Sequence, residues 1–188
     1  MRLLTIDVGI KNLSYCLVDL VDGDSQVTIV DWDCSSSIDP DVNTKKCALE
    51  DLTEATLALL SKRFDGEEVI DLVVIENQPM MLNGLMKSIA MVIYTYFNMV
   101  RIQQGTVGRV VFTNATNKLK VVKNKGSVAT KLTYAQRKKR SIQLAREYLL
   151  DIAPDRIVWF DGLKKADDYG DTLLYALYVA ENRKAFAG

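Results

Sequence analysis

The sequence contains no histidine, and only three of its 188 residues are cysteines. The lack of histidine excludes serine-histidine triads, histidine general bases and histidine-ligated zinc. Cys16, Cys34 and Cys47 have a spacing that fits neither a zinc knuckle nor a disulfide framework, so we expect reduced, structural thiols. Any catalysis must therefore come from carboxylates, from lysine, or from a metal ion held by oxygen ligands.

Long hydrophobic runs are also lacking. The longest uncharged apolar stretch, Ile89–Val100, is too short to cross a bilayer, and Asp7 interrupts the N-terminal pattern that a signal peptide requires. We therefore expect no membrane association and an intracellular location, in the cytoplasm or the nucleus. A length of 188 residues is enough for one well-cored domain and short for two, so we expect a single domain over 1–188. A hydrophobic content of 48% with 26% charged residues is typical of a folded globular protein.

Acidic residues are absent between Asn77 and Arg146, a span that carries thirteen of the Lys and Arg residues. A lysine-rich solvated face usually interleaves glutamates, so this segregation favours a nucleic-acid site over an ordinary exposed surface. Contacts with the phosphate backbone would position the substrate without reading its sequence. The residues of this span that we expect to bind nucleic acid are Lys118, Lys120, Lys123, Lys125, Lys131, Arg137, Lys139 and Arg140.

The apolar pattern predicts three strands followed by alternating helices and strands. In chain order the predicted elements are a hairpin over Arg2–Leu20, a strand over Gln26–Asp33, a helix from Thr44 to about Arg63, a strand over Val69–Ile75, a helix over Met80–Gln104, a strand over Val107–Phe112, a loop over Thr113–Thr133, a helix over Tyr134–Leu150, a short strand or extended segment over Ile157–Phe160 and a helix from about Asp167. This order implies an α/β protein with a mixed sheet and helices on both faces. That is the architecture of the ribonuclease H-like fold, whose five strands lie in the order 3-2-1-4-5.

Acidic side chains stand where burial alone would not place them. Asp7 interrupts the first apolar strand, Glu76 ends a buried strand, and Asp167, Asp168 and Asp171 open the last helix. Taken separately they could be a turn carboxylate, a strand-end charge and a helix N-terminal group. Grouped together they would repel one another, and oxygen ligands favour Mg²⁺ or Mn²⁺. Two such ions, roughly 4 Å apart, can hold an attacking water and a leaving oxygen in line.

Four stretches carry a specific resemblance. They are IDVGIKN (Ile6–Asn12), VVIENQP (Val73–Pro79), YAQRKKRS (Tyr134–Ser141) and KKADDYGDTLLYAL (Lys164–Leu177). In this order they resemble the successive motifs of RuvC-type Holliday junction resolvases. The most similar branch includes the resolvases of poxviruses and other large DNA viruses and those of fungal mitochondria. The resemblance spans nearly the whole chain.

The resemblance implies a homodimeric Mg²⁺-dependent endonuclease that nicks opposed strands of a four-way DNA junction symmetrically, within a viral factory if the source is a virus. The family's acidic positions correspond to Asp7, Glu76, Asp168 and Asp171, with Asp167 as the alternative to Asp168. Asp7 would bridge two ions, and the other acids would complete the coordination shells.

Basic side chains are expected to meet the DNA close to these acids. One lysine of the block Arg137–Arg140 would approach the scissile phosphate, and Lys138 is our candidate. Lys11, just after the first strand, lies close enough to the predicted site to contact the DNA backbone there.

Several alternatives remain open. An actin-like kinase or ATPase would need further glycine-rich phosphate loops, which the sequence lacks. Another ribonuclease H-like nuclease, or a non-catalytic nucleic-acid-binding relative, shares the fold and the basic segment. The apolar helix Leu82–Val100 is either a dimer surface or part of the core.

Overall fold

The structure is a computed structural model that describes residues 1–21, 26–39, 41–64, 66, 68–78, 84–121 and 132–186. Its strands are β1 (Arg2–Asp7), β2 (Leu13–Leu20), β3 (Val27–Ser35), β4 (Ile70–Asn77) and β5 (Val107–Asn114). Its α-helices are α1 (Leu49–Phe64), α2 (Gly84–Gln104), α3 (Tyr134–Ile152), α4 (Ile157–Asp161), α5 (Ala166–Glu181) and α6 (Arg183–Phe186). Short 3₁₀ helices cover Thr44–Lys46, Asn117–Lys120 and Pro154–Arg156.

The five strands form one mixed sheet in the order β3-β2-β1-β4-β5, as predicted. The first three strands are an antiparallel meander, whereas β4 and β5 run parallel to β1. Parallel pairing places Ile6 opposite Ile75. The residues that follow them, Asp7 and Glu76, therefore lie side by side at the carboxyl end of the sheet.

Helices cover both faces of the sheet, which confirms the predicted layers. Alternate residues of β1 point to opposite faces, so Leu3 packs in the core formed with α3 and α5, and Leu4 in the core formed with α1 and α2. Burial on both sides explains why β1 and β4 read as nearly continuous apolar runs. None of the helices in the described part of the chain is long and apolar enough to span a membrane.

One predicted element is wrong. The run Ile157–Phe160, predicted as a short strand, lies in α4, which follows a 3₁₀ turn that starts at Pro154. Four apolar residues are too few for periodicity to separate a strand from a buried helical turn. Phe160 is fully buried and stacks on Trp32 with ring centroids 5.6 Å apart, so α4 closes the core beneath α5.

The ends of other elements differ from the predictions by a few residues. The first long helix begins at Leu49 instead of Thr44, because residues 44–46 form a separate 3₁₀ turn. The predicted start of α2 at Met80 lies outside the described residues, and the helix is described from Gly84.

Candidate active site

Three acidic side chains converge where the carboxyl ends of β1 and β4 meet the second turn of α5. Asp7 ends β1, Glu76 lies next to the end of β4, and Asp171 belongs to α5. Glu76 is buried, and the side chain of Asp171 is only 15% exposed. We call Asp7, Glu76 and Asp171 the carboxylate cluster.

Hydrogen bonds from the sheet fix the start of α5 beside β1. The Ser14 hydroxyl, which faces Asp7 across the β1-β2 pair, donates to the backbone oxygen of Asp168 at 2.9 Å. The Thr5 hydroxyl donates to the backbone oxygen of Thr172 at 2.8 Å. Trp32 Nε1 donates to the backbone oxygen of Tyr169 at 3.1 Å. Residues 168–172, and with them Asp171, are thereby held next to the first strand.

The ammonium group of Lys118 lies within the carboxylate cluster. Lys118 belongs to the 3₁₀ helix that follows β5, and its Nζ forms ion pairs with Asp171 and, at 3.3 Å, with Glu76. Its side chain is only 18% exposed. The sequence-based interpretation made Lys118 a nucleic-acid-binding residue, whereas the structure places it among the acids.

Two hydroxyl groups hold the carboxylates in position. Tyr175, one helical turn after Asp171, donates its hydroxyl proton to Glu76 Oε2 at 2.6 Å. Ser141 of α3 donates to Asp171 Oδ1. Gly170 suits the close packing of α5 on α3 at this point, because a Cβ there would lie only 3.2 Å from the Cβ of Ala145.

The electrostatics of the cluster follow from burial and crowding. Burial, and then the neighbouring charge of Glu76, raise the pKa of Asp7 well above its usual value, while Lys118 opposes the shift. Burial also raises the pKa of Asp171, against the effects of Lys118 and Ser141. Burial lowers the pKa of Lys118, but Asp171, Asp7 and Glu76 raise it further, so the net shift is upward. The cluster therefore favours a bound cation.

The two aspartates at the start of α5 have different surroundings. Asp167 forms an ion pair with Lys138 of α3. Burial, followed by the charge of Asp167, raises the pKa of Asp168, and Asp171 contributes in the same direction. Asp167 is thus engaged by a lysine, while Asp168 lies within electrostatic reach of the cluster.

The other predicted DNA-binding residues are only partly accounted for. Lys120, Arg137 and Lys139 are exposed, and Arg140 contacts Glu147 of its own helix at 3.5 Å. Lys123, Lys125 and Lys131 lie outside the described residues. Lys11 lies in the turn between β1 and β2, at the same end of the sheet as Asp7. Gly9 is needed in this turn, because a Cβ there would collide with the carbonyl oxygen of Asn12.

The donor atoms of the cluster suit a hard divalent cation, since all of them are carboxylate oxygens. Within the described ranges, however, no three His, Cys, Asp or Glu side chains already surround one point as metal ligands. The ammonium group of Lys118 balances the charge of Glu76 and Asp171 instead. The residues present fit Mg²⁺ or Mn²⁺ if this ammonium group moves aside.

Sequence reasoning missed Tyr175, Ser141 and Lys87, and it assigned Lys118 to nucleic-acid binding instead of to the carboxylate cluster. Tyr175 stands four positions after Asp171, on the same helix face, and Ser141 ends the basic motif Tyr134–Ser141. Lys118 follows the strand parallel to the one that carries Glu76, so it emerges at the same sheet end. Lys87 of α2 also lies there, donating to Asn77 Oδ1 at 2.8 Å.

Solved structures share this fold. A fowlpox virus resolvase in complex with its substrate Holliday junction DNA matches with a TM-score of 0.68 at 16% identity, over 97% of this chain and 99% of that chain. The yeast mitochondrial Holliday junction resolvase matches with a TM-score of 0.63 at 18% identity, over 98% and 82%. Thermus thermophilus RuvC matches with a TM-score of 0.56 at 16% identity, over 97% of both chains. The chain therefore has the ribonuclease H-like fold of the RuvC-type resolvases.

The sequence comparison is more specific. Residues 1–183 match the family described as Poxvirus A22 protein. The chain belongs to this family, which confirms the poxvirus branch of the resemblance. No curated protein matched the sequence significantly.

Proposed function

We propose that this protein is a Holliday junction resolvase, a divalent-metal-dependent endonuclease that nicks two opposed strands of a four-way DNA junction symmetrically. The observation that carries the proposal is the convergence of Asp7, Glu76 and Asp171 at one end of the sheet, on the fold of the RuvC-type resolvases. Membership of the Poxvirus A22 family supports it.

The site residues divide into ligands and residues that position them. Asp7, Glu76 and Asp171 would hold Mg²⁺ or Mn²⁺, as two ions in the family pattern. Asp168 is favoured over Asp167 as a fourth ligand, because Lys138 engages Asp167. When bound, such ions supply an activated water and offset the charge of the leaving oxygen. Tyr175 and Ser141 would orient Glu76 and Asp171 for this task.

Basic side chains around the cluster would hold the DNA backbone. Arg137 and Lys139 are exposed on the first turns of α3, while Lys138 reaches Asp167 at the start of α5. Lys138 is therefore placed to exchange an acidic partner for a phosphate next to the cluster. Lys11 would contact the strand on the other side, from the turn after β1.

Symmetric cleavage requires two active sites related by a two-fold axis, and the outer face of α2 is our candidate for the dimer surface. The helix has one face in the core, where Ile93 and Phe97 are buried. Met91, Met99 and Ile102 are exposed, with Ile102 at 76%. The buried face supports the core interpretation of this helix, and the exposed face carries the proposed dimer surface.

Cleavage of matched substrates tests the proposal. The protein is incubated with labelled four-way junction, linear duplex and RNA-DNA hybrid, in Mg²⁺, Mn²⁺ or EDTA. We expect paired nicks in the junction only, and only with metal. Equal cutting of linear duplex would contradict junction selectivity, and preference for the hybrid would favour another nuclease of this fold.

Asp7→Asn tests the site itself. Because Asp7 is a proposed metal ligand, this variant should cut no junction yet bind it with unchanged affinity. Asp41→Asn, which changes an exposed aspartate in the loop before α1, is the matched control and should cut normally. Normal cleavage by Asp7→Asn would mean that the metal site is assigned to the wrong residues.

A further inference from the structure

The arrangement of Lys118 has a consequence for metal binding. Its ammonium group contacts Asp171 Oδ2 and Glu76 Oε2. The second oxygen of Asp171 accepts from Ser141, and Oε1 of Glu76 accepts from Gln78 at 3.3 Å. The oxygens that face the interior of the cluster are therefore those that Lys118 contacts.

A divalent cation bound to Glu76 and Asp171 would need the same oxygens. Its radius and charge do not allow an ammonium group to remain in contact with both carboxylates, because the two cations would repel each other at contact distance. Lysine is suited to leave, since its charge stands on a flexible stem with four carbons. Ser141 donates to the other oxygen of Asp171, and Tyr175 shares Oε2 of Glu76 with Lys118 but carries no charge, so neither hydroxyl has to leave when a cation binds.

We propose that Lys118 is an exchangeable counterion of the active site. It neutralises the carboxylate cluster in the metal-free protein, and it leaves Glu76 and Asp171 when a divalent cation binds there. The inference rests on the proposed function, because it takes the cluster to be a metal site. It adds that metal affinity is set by competition with a side chain of the protein itself.

The competition predicts opposite effects of removing the lysine. Without metal, Lys118→Met leaves the repulsion within the cluster uncompensated, so the variant should unfold at a lower temperature than the unaltered protein. With metal, the ion no longer has to displace an internal cation. The affinity for Mn²⁺ should therefore rise, by about tenfold or more.

Mn²⁺ binding without DNA measures this directly, through the electron paramagnetic resonance signal of the free ion. The samples are the unaltered protein, Lys118→Met and the control Lys62→Met, which removes an exposed lysine from α1 on the far face of the sheet. We expect tighter binding by Lys118→Met alone. Thermal unfolding in EDTA and in Mn²⁺ should show that metal restores the stability lost in this variant.

Chemical labelling tests the exchange in the unaltered protein, so it does not depend on the folding of a variant. Lysines are acetylated briefly in EDTA or in saturating Mg²⁺, and the modified sites are quantified by mass spectrometry. The labelling rate of Lys118 should increase several-fold with Mg²⁺, while that of Lys120, which is exposed on the same 3₁₀ helix, should stay constant.

The outcomes separate this inference from the proposed function. Equal or weaker Mn²⁺ binding by Lys118→Met, or labelling of Lys118 that ignores bound Mg²⁺, would overturn the exchange even if the protein cuts junctions. Tighter Mn²⁺ binding by Lys118→Met, together with no cleavage of any junction by the unaltered protein, would uphold the exchange and overturn the proposed resolvase function. Failure of every sample to bind Mn²⁺ would overturn the exchange and the metal dependence together.

Discussion

Tyr175→Phe removes a single hydroxyl group that holds the active site from within the core. The hydroxyl donates to Glu76 Oε2 at 2.6 Å, and the ring is only 1% exposed, so phenylalanine should keep its packing. A hydrogen bond to a charged group contributes about 1.5–3 kcal/mol to stability. For a chain of this size, that loss lowers the melting temperature by roughly 3–12 °C. Because Lys118 still contacts the same oxygen at 3.3 Å, the lower end of both ranges is expected.

The same substitution should reduce junction cleavage by about 10- to 100-fold, since Glu76 loses the group that orients it toward a metal ion. The assays are denaturant unfolding in EDTA and single-turnover cleavage in Mg²⁺. Tyr178→Phe, on the same helix but packed against Phe186 away from the cluster, is the control and should change neither. Full cleavage by Tyr175→Phe, with stability within about 0.5 kcal/mol of the unaltered protein, would refute the positioning role.

Three further predictions concern charge and assembly. Burial and the charge of Glu76 raise the pKa of Asp7 above its ordinary value of 3.8, so the folded metal-free protein holds this proton more tightly than the unfolded chain does. The free energy of unfolding should therefore fall as the pH rises above 3.8. Asp7→Asn should flatten this fall and raise the melting temperature in EDTA at neutral pH. Replacing Arg137 and Lys139 together by alanine should weaken junction binding and reduce the slope of log affinity against log salt by roughly 1.8, whereas Lys62→Ala should leave the slope unchanged. Ile102→Glu should give monomers in sedimentation velocity and separate the two nicks in time. Val158→Glu, at a position of α4 that is 85% exposed, is the control and should remain dimeric. A dimeric Ile102→Glu would rule out the outer face of α2.

Much of the fold could be predicted because its elements are long and their local patterns are consistent. The β-branched run before Glu76 could be identified as a buried strand, and the apolar pattern gave the hairpin over Arg2–Leu20 and the strand that follows it. The short run Ile157–Phe160 could not be assigned, because the stacking of Phe160 on Trp32 decides its conformation. That contact joins segments more than a hundred residues apart, and no local pattern records it.

The residues of the site also fall into those that the sequence could predict and those that it could not. Asp7 and Glu76 were recognisable because a carboxylate in an apolar strand is costly without a partner, so its presence indicates one. The partners themselves were not recognisable. Lys118 meets Glu76 and Asp171 across 42 and 53 positions of the sequence, and a lysine in a polar, basic stretch gives no sign that it turns inward.

The inward position of Lys118 also changes the meaning of the acid-free span between Asn77 and Arg146. Its basic residues were interpreted as a surface for DNA, yet Lys118 and Lys138 pair with acids at the start of α5, and Ser141 of the same span holds Asp171. The span therefore supplies the counter-charges that let a crowded carboxylate cluster fold without metal. A glutamate placed there would compete for these lysines as well as repel a phosphate. Without acids in this span, Lys118 and Lys138 keep their pairs with the acids of α5, while the exposed Arg137 and Lys139 can contact the substrate.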